Sequence, residues 1–445
     1  MAMEYWALVM FAMAIGLLMV GFPVAFTLGA VAMVFGIVFL GLQEFQLLPM
    51  RIWGVMTNFT LLAVPLFVFM GVMLEKSGLA EELLDTMGRL FGRLRGGLAV
   101  STVIVGALLA ATTGVVGATV VTLGILALPV MLKHHYDRRL ASGAIAASGT
   151  LGQIIPPSII LILLGDVAGV SVGELFAAAV VPGLVLVGAF ILYVMVVALL
   201  RPAAAPALGM VQAQAGGDGG LALNAMKSLL PPLALVVAVL GSIFFGIASP
   251  TESAAVGAFG AMVLAAAQRR LTLTNVRDAA EQTVRLTSMV FMILIGATAF
   301  GLVFRSMGGD MVVEDIMFAL PGDQWGFLAV SMLLIFSLGF FLDFLEICFI
   351  VVPILVPIAE ALDVNLLWFV VLIAVNLQTS FLTPPFGFSL FYLKAAAPPE
   401  VKIQHIYRGV IPFVVIQLVV LGLLIAVPEL VLWLPQWLNA LQGYG

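Results

Sequence analysis

The sequence predicts an all-α polytopic membrane protein made of two inverted five-crossing repeats, each with a re-entrant hairpin and a helix broken at a Pro-Pro pair. Three observations carry that prediction. Of 445 residues, 63% are hydrophobic and only 9% charged, against roughly 25% charged in a soluble domain, so the surface suits a bilayer and not water. Apolar runs of about 20 residues, enough to span a hydrocarbon core, recur from end to end. The helix-breaking residues then recur at nearly one offset: Pro156-Pro157 and Pro384-Pro385, Pro129 and Pro357, and Gly29 and Gly257 are each 228 apart, Pro23 and Pro250 are 227 apart, and Gly71 and Gly296 are 225 apart. A β-barrel would show short segments of alternating polarity, which this chain lacks.

Full crossings are expected at 5–20, 23–42, 58–75, 140–165, 174–200, 228–248, 251–268, 285–305, 366–394 and 410–433. The stretches 96–132 and 326–361 do not fit single crossings, because each is divided near its middle, at "TTGVVGAT" and "LDFLEI". Arms of about 15 residues make about 22 Å of helix, short of the hydrocarbon thickness, so re-entrant hairpins with tips near the midplane are expected. The first repeat is 1–208, with hairpin 96–132 and broken helix 140–165; the second is 225–445, with hairpin 326–361 and broken helix 366–394. Between them, 209–224, with its glycine-rich "GMVQAQAGGDGG", is a flexible cytoplasmic linker.

Charge orients this arrangement. Sixteen of the 18 Lys and Arg fall in 76–95, 133–139, 201–227, 269–285 and 394–408; only Arg51 and Arg305 lie elsewhere. With both termini outside, ten crossings place all five clusters in the cytoplasm, as the positive-inside rule asks. The first hairpin then opens inward between basic flanks, and the second opens outward beside the acidic "GGDMVVEDIMFALPGDQ". The N-terminal "MAMEYWALVM" has no basic n-region, so it reads as the start of the first spanning helix and not as a signal peptide. Residues 76–95, and more weakly 272–285, read as amphipathic interfacial helices, and Trp325, Trp433 and Trp437 as membrane-edge aromatics.

Each half has five crossings, an odd number, so the second repeat is inverted, and inverted repeats with discontinuous helices at the midplane mark secondary transporters. A broken helix exposes carbonyls at one stub and amides at the other; carbonyls and hydroxyls suit a hard cation such as Na⁺. The first-half candidates are Ser148, Gly149, Thr150, Gly152, Pro156 and Pro157, facing Thr112, Thr113, Gly114, Gly117 and Thr119 of the hairpin tip. The second-half candidates are Asn376, Thr379, Ser380, Thr383, Pro384, Pro385 and Gly387, facing a tip around Asp343 and Glu346. The plain alternative, a proline kink in a packed helix, is weakened by two Pro-Pro breaks at equivalent positions. Asp343 and Glu346 could hold a cation, relay a proton or orient the tip; the plain alternative is that one lies near the outer surface, or is protonated and hydrogen-bonded. Glu252 has a structural explanation: Ser249 as N-cap, Pro250 at N1 and Glu252 at N3 make a capping box. His134, His135 and His405 belong to the basic cytoplasmic flank. The single cysteine, Cys348, excludes a disulfide framework. There is no phosphate loop for an ATPase and no basic, aromatic-interleaved face for nucleic acid.

"GTLGQIIPPSI", "GIASPTESAAVGA" and "NLQTSFLTPPFGFSLF", with "LLAVPLFVFMGVMLEKSGL" upstream, resemble the large membrane subunit of tripartite ATP-independent periplasmic (TRAP) transporters over nearly the whole chain. The resemblance implies Na⁺-coupled import of an organic acid (a carboxylate, keto or hydroxy acid) by an elevator-like mechanism, with Na⁺ as coupling ion and no other cofactor. It also implies two partners on separate chains: a small membrane subunit of four helices and a periplasmic substrate-binding protein. It places the Na⁺ and substrate region at the tips and breaks named above. Many members carry a serine-rich "SGSS" at the first tip; here "TTGVVG" stands there, leaving backbone carbonyls or Thr112, Thr113 and Thr119 as ligands. The alternatives are a single-component ion-coupled permease for dicarboxylates or inorganic anions, and an intramembrane enzyme. For the enzyme only Asp343 and Glu346 could serve, with no base, nucleophile or metal cluster beside them.

Overall fold

The structure, a computed structural model, describes residues 3–92, 94–207, 218–384 and 387–442, with side chains in the second half from Met226 onward. Regular structure among them is entirely helical. The first half runs α1 (Met3–Val20), α2 (Val24–Phe35, prolonged as a π segment Gly36–Leu40), α3 (Leu48–Met56), α4 (Ala63–Lys76), α5 (Leu79–Phe91), α6 (Gly97–Thr113), α7 (Val116–Lys133), α8 (Arg138–Thr150), α9 (Ile159–Ala168) and α10 (Val172–Leu200). The second half runs α11 (Asp218–Phe244), α12 (Pro250–Ala267), α13 (Leu273–Ser306), α14 (Gly309–Phe318), α15 (Asp323–Leu338), α16 (Phe344–Ala361, through a π segment Ile347–Val351), α17 (Leu366–Leu382), α18 (Phe388–Ala396), α19 (Ile403–Ala426) and α20 (Glu429–Leu441).

Polar residues mark the starts. The Asp137 carboxylate accepts from Arg139 N at 2.7 Å at the head of α8, and the Asn365 side chain accepts from Trp368 N at 3.1 Å at the head of α17. Ser249 and Glu252 form the expected capping box on α12, with Ser249 N donating to Glu252 Oε2 at 2.8 Å.

Element order repeats between the halves, and so does the packing. Helix α4 packs on α12 and α2 on α13; α8 on α19 and α17 on α10; α7 on α18 and α16 on α9; α5 on α11 and α14 on α1. Each of these contacts has its counterpart with the halves exchanged, the pattern of an isologous two-fold interface. Phe176, Phe190, Phe300, Phe304, Phe327, Phe369 and Phe413 are fully buried in the shared core. Large apolar side chains such as Val20, Leu200 and Leu273 remain exposed on the rim, as lipid contact would leave them.

Several expectations change. By length and apolarity eight helices among the described residues could cross a membrane, or nine if the bent α3–α4 pair is one span. Two of the eight are the second hairpin arms, α7 and α16, each 18 residues long and not about 15. At about 27 Å they approach the hydrocarbon thickness, so arm length does not separate a hairpin from a crossing here, and charge carries that assignment. Residues 272–285 do not form a helix of their own: α13 runs unbroken for 34 residues, because neither Gly nor Pro interrupts it before Gly296. Most of the expected linker, 209–217, lies outside the described residues, and from Asp218 the backbone is already helical. The last expected crossing, 410–433, divides into α19 and α20 at Pro428.

Candidate functional site at two helix breaks

The first break begins where α8 tightens into a 3₁₀ turn, Leu151–Gln153, and ends at Ile159, with a cis peptide between Pro156 and Pro157. Neither proline has an N–H, so neither can close the helical bond to the carbonyls of Gly152 and Gln153. The Gln153 carbonyl instead accepts from Ser158 Oγ at 3.0 Å. The hairpin tip opposite turns at Gly114, whose φ of +61° suits glycine. A Cβ there would lie 3.4 Å from Ile159 N and 3.5 Å from the Pro157 oxygen. One on Gly152 would lie 3.6 Å from Ala110 Cα of α6, and one on Gly149 would lie 3.2 Å from Val120 Cα of α7. Thr113 and Thr119 join their hydroxyls across the tip at 3.0 Å. The tip therefore seats on the break through Gly114 against Pro157, with its two arms against Gly152 and Gly149, while the Thr112 and Thr113 carbonyls face Gly71 of α4.

Three first-half candidates face other neighbours. Gly117 is turned toward the Tyr392 ring of α18, 3.2 Å from where its Cβ would be. Thr150 accepts from Gln417 Nε2 of α19 at 3.4 Å. Ser148 lies against Gly106, two helical turns below the tip on α6.

The second break starts at Thr383, which is extended, and ends at Gly387; Pro385 lies outside the described residues. A Cβ on Gly387 would be 2.6 Å from the Phe381 oxygen and 3.0 Å from the Thr383 oxygen, so only glycine lets the chain pass this close to those carbonyls. The Phe381 carbonyl accepts from Ser389 Oγ at 2.9 Å. Gln153 and Phe381 are themselves 228 apart, so the same carbonyl in each break is held by a serine from the following stub. The second tip packs on its break through Gly339, where a Cβ would clash with Ser380 Oγ, and through the Phe344 and Phe381 rings, whose centroids are 6.2 Å apart. Asn376 Nδ2 donates to the Met332 oxygen of α15 at 2.6 Å.

The hydrogen bonds of Asp343 and Glu346 stay within their own tip. Phe344 N donates to Asp343 Oδ1 at 2.7 Å and Asp343 N to Glu346 Oε2 at 3.2 Å, so the two acids cap the start of α16. This is the role expected for Ser249 and Glu252, repeated inside a hairpin tip, and it follows from the same i, i+3 spacing.

The hydroxyls share one habit. Thr112 and Thr113 donate to the Leu109 oxygen (3.0 and 2.9 Å), Thr150 to Ala147 (2.8 Å), Thr379 to Val375 (2.8 Å), Ser380 to Leu377 (2.9 Å) and Thr383 to Thr379 (2.7 Å). With each proton placed on its own helix, only lone pairs face away from it, which is what a cation and not an anion would meet. No cluster of His, Cys, Asp and Glu able to hold a metal occurs among the described residues.

Sequence reading missed Gln153, Gln378 and Gln417. All three are fully buried; both side-chain amide atoms of Gln153 and Gln378, and the Gln417 Oε1, have no hydrogen-bond partner among the described residues. The signal was present, since Gln153 and Gln378 sit inside the quoted motifs, and an amide in an apolar run is unusual in a membrane.

Residues 11–430 match the family model "Tripartite ATP-independent periplasmic transporter, DctM component". The chain is 31% identical to the C4-dicarboxylate TRAP transporter large permease protein of Pseudomonas aeruginosa, over 88% of this chain and 90% of that one. It is 30% identical to the sialic acid TRAP large permease of Vibrio cholerae (97% and 98%) and 28% identical to the ectoine TRAP large permease of Halomonas elongata (96% and 98%). Its fold is similar to that of the YdaH transporter of Alcanivorax borkumensis, with a TM-score of 0.63 at 15% identity over 95% of this chain and 98% of that one. Family match, relatives and apolar helices agree: the chain is a multi-pass membrane permease, not an enzyme, and it belongs to the DctM family of TRAP transporter large permease subunits.

Proposed function

We propose that this chain is the large subunit of a secondary importer in the bacterial inner membrane, taking up an organic acid with Na⁺. One Na⁺ sits at each helix break, between the break and its hairpin tip. The observation that carries this is the paired chemistry: two stubs that proline deprives of N–H donors, each lined by hydroxyls whose protons are placed elsewhere. Dehydrating Na⁺ in a membrane requires several oxygen lone pairs at once, and freed carbonyls with Thr and Ser hydroxyls supply them. The halves stand inverted, with both termini outside, as the five cytoplasmic basic clusters favour. Hairpins and broken helices move as a block against α1–α4 and α11–α13, the elevator motion the resemblance implies.

A small membrane subunit and a periplasmic binding protein complete the system, in keeping with the family; one relative, 29% identical, is named an isethionate TRAP permease protein DctMQ. The binding protein selects the substrate, so relatives named for C4-dicarboxylate, sialic acid and ectoine point to a small, mostly acidic solute. Each net positive charge entering gains about 2.3 kcal/mol per 100 mV, about 50-fold accumulation. Uptake by the three-part system in proteoliposomes is expected to collapse when Na⁺ is replaced by choline. Undiminished uptake driven by a proton gradient alone would remove Na⁺ from the proposal.

A further inference from the structure

Arg305 is one of only two basic residues outside the five cytoplasmic clusters. It ends α13, the long helix that packs on α2, α3 and α4. Its Nη2 donates to the backbone oxygen of Pro353, 3.2 Å away in α16, the second arm of the outward hairpin. In a regular helix that oxygen would receive the N–H of the fourth residue onward. Here that residue is Pro357, inside α16, which has no N–H to give. An orphan carbonyl at the edge of a membrane needs a donor, and the guanidinium supplies one from a different element. The same arm carries the π segment Ile347–Val351, a second irregularity that weakens its own ladder.

We propose that Arg305 is a positioning residue: it tethers the outward hairpin to α13 through the Pro353 carbonyl that Pro357 leaves free, and so sets where the hairpin rests. The pairing is specific, because proline creates the acceptor and arginine answers it. The tether joins a helix of the α2–α4 layer, which also packs on the first turns of α16, to an arm that packs on α9 and α17, so it spans the boundary along which an elevator would slide. That consequence for transport rests on the proposed function; the tether does not.

The test is a double-mutant cycle on the purified full chain with its small subunit. Hydrogen exchange is read across 344–361, and uptake in proteoliposomes. Arg305→Ala is expected to speed exchange in that arm about tenfold, the worth of one charge-assisted hydrogen bond. Pro357→Ala remakes the helical bond to Pro353, so adding Arg305→Ala to it is expected to change nothing further, while Arg305→Lys, which keeps a donor, retains most of the protection. Unchanged exchange in Arg305→Ala, or effects of the two alanines that simply add, would overturn the tether. In uptake, Arg305→Ala is expected to lower the maximal rate with the half-saturating concentration unchanged. A change confined to half-saturation would make Arg305 a substrate contact and overturn the positioning role. If exchange responds as expected while the unaltered system carries no solute, the tether stands and the transport reading falls.

Discussion

The α3–α4 pair and α13 occupy equivalent places in the two halves, yet the first is broken and bent by 53° and the second runs unbroken for 34 residues. The difference begins in four residues, "TNFT" at 57–60. Thr57 Oγ1 donates to the Trp53 oxygen at 2.8 Å, and Asn58 Oδ1 accepts from Thr60 N at 2.9 Å, an Asx turn that competes with the helical ladder. Residues 285–288 of α13, "RLTS", offer no Asn or Asp for such a turn. The bend is then used: Asn58 Nδ2 donates to Asp166 Oδ1 of α9 at 2.6 Å, and at the other end of α4 Glu75 accepts from Thr122 of α7 at 3.3 Å. Helix α4 thus grips the first hairpin and broken helix at both ends, whereas α13 packs on the first turns of α16 and adds Arg305 at its own last turn. The shared apolar plan sets the fold of each half, and a few polar residues decide where each arm bends and what it holds.

The largest expected effect breaks the equivalence at the two proposed ion sites. Replacing Pro156 and Pro157 with alanine gives the first break its N–H groups back and lets α8 continue toward α9. Na⁺-dependent uptake is expected to fall at least about 100-fold, because a dehydrated cation loses carbonyl ligands worth several kcal/mol, while membrane insertion persists. Na⁺ dependence matching the unaltered protein would reduce the break to a kink, leaving the second half alone to account for ion coupling.

A smaller effect sharpens the contrast between the bent and unbroken arms. Asn58→Ala removes both the Asx turn and the bond to Asp166. It is expected to destabilise the purified chain by about 1.5–3 kcal/mol, the range for a hydrogen bond to a charged group. Thermal unfolding in detergent reads this; a midpoint equal to that of the unaltered protein would mean the bend is held by packing alone.

Legibility followed the range of each interaction. The Pro-Pro breaks, the hairpin tips and the Ser249–Glu252 box were readable because their causes lie within a few residues. The continuity of α13 has a local cause too, since no breaker precedes Gly296, but the amphipathic pattern of 272–285 imitates a separate interfacial helix. The Asn58–Asp166 bond spans 108 residues and the Thr150–Gln417 contact 267, so neither leaves a local trace. The offset itself had mixed meaning. Gly71 and Gly257 lie against Thr113 and Met70, where a Cβ would approach to 2.6 Å, but Gly29, the counterpart of Gly257, faces open space.

The smallest expected effect compares the helices that follow each first crossing. Pro23 and Pro250 are repeat-equivalent, but α2 starts at Pro23 with no side-chain cap, while α12 starts at Ser249 with a full box. Phe22 stands where Ser249 does in the other half. Ser249→Ala removes the acceptor for Glu252 N, at 3.3 Å, and leaves the Glu252 carboxylate bonded to the backbone of residue 249. The loss is expected to be about 1 kcal/mol, the usual worth of an N-cap, read as a small drop in the unfolding midpoint. A drop as large as that of Asn58→Ala would mean this cap is coupled to tertiary contacts. Thr251 is the nearest means for such coupling, since its Oγ1 donates to the Phe59 oxygen at 2.9 Å and ties the start of α12 to the α3–α4 bend.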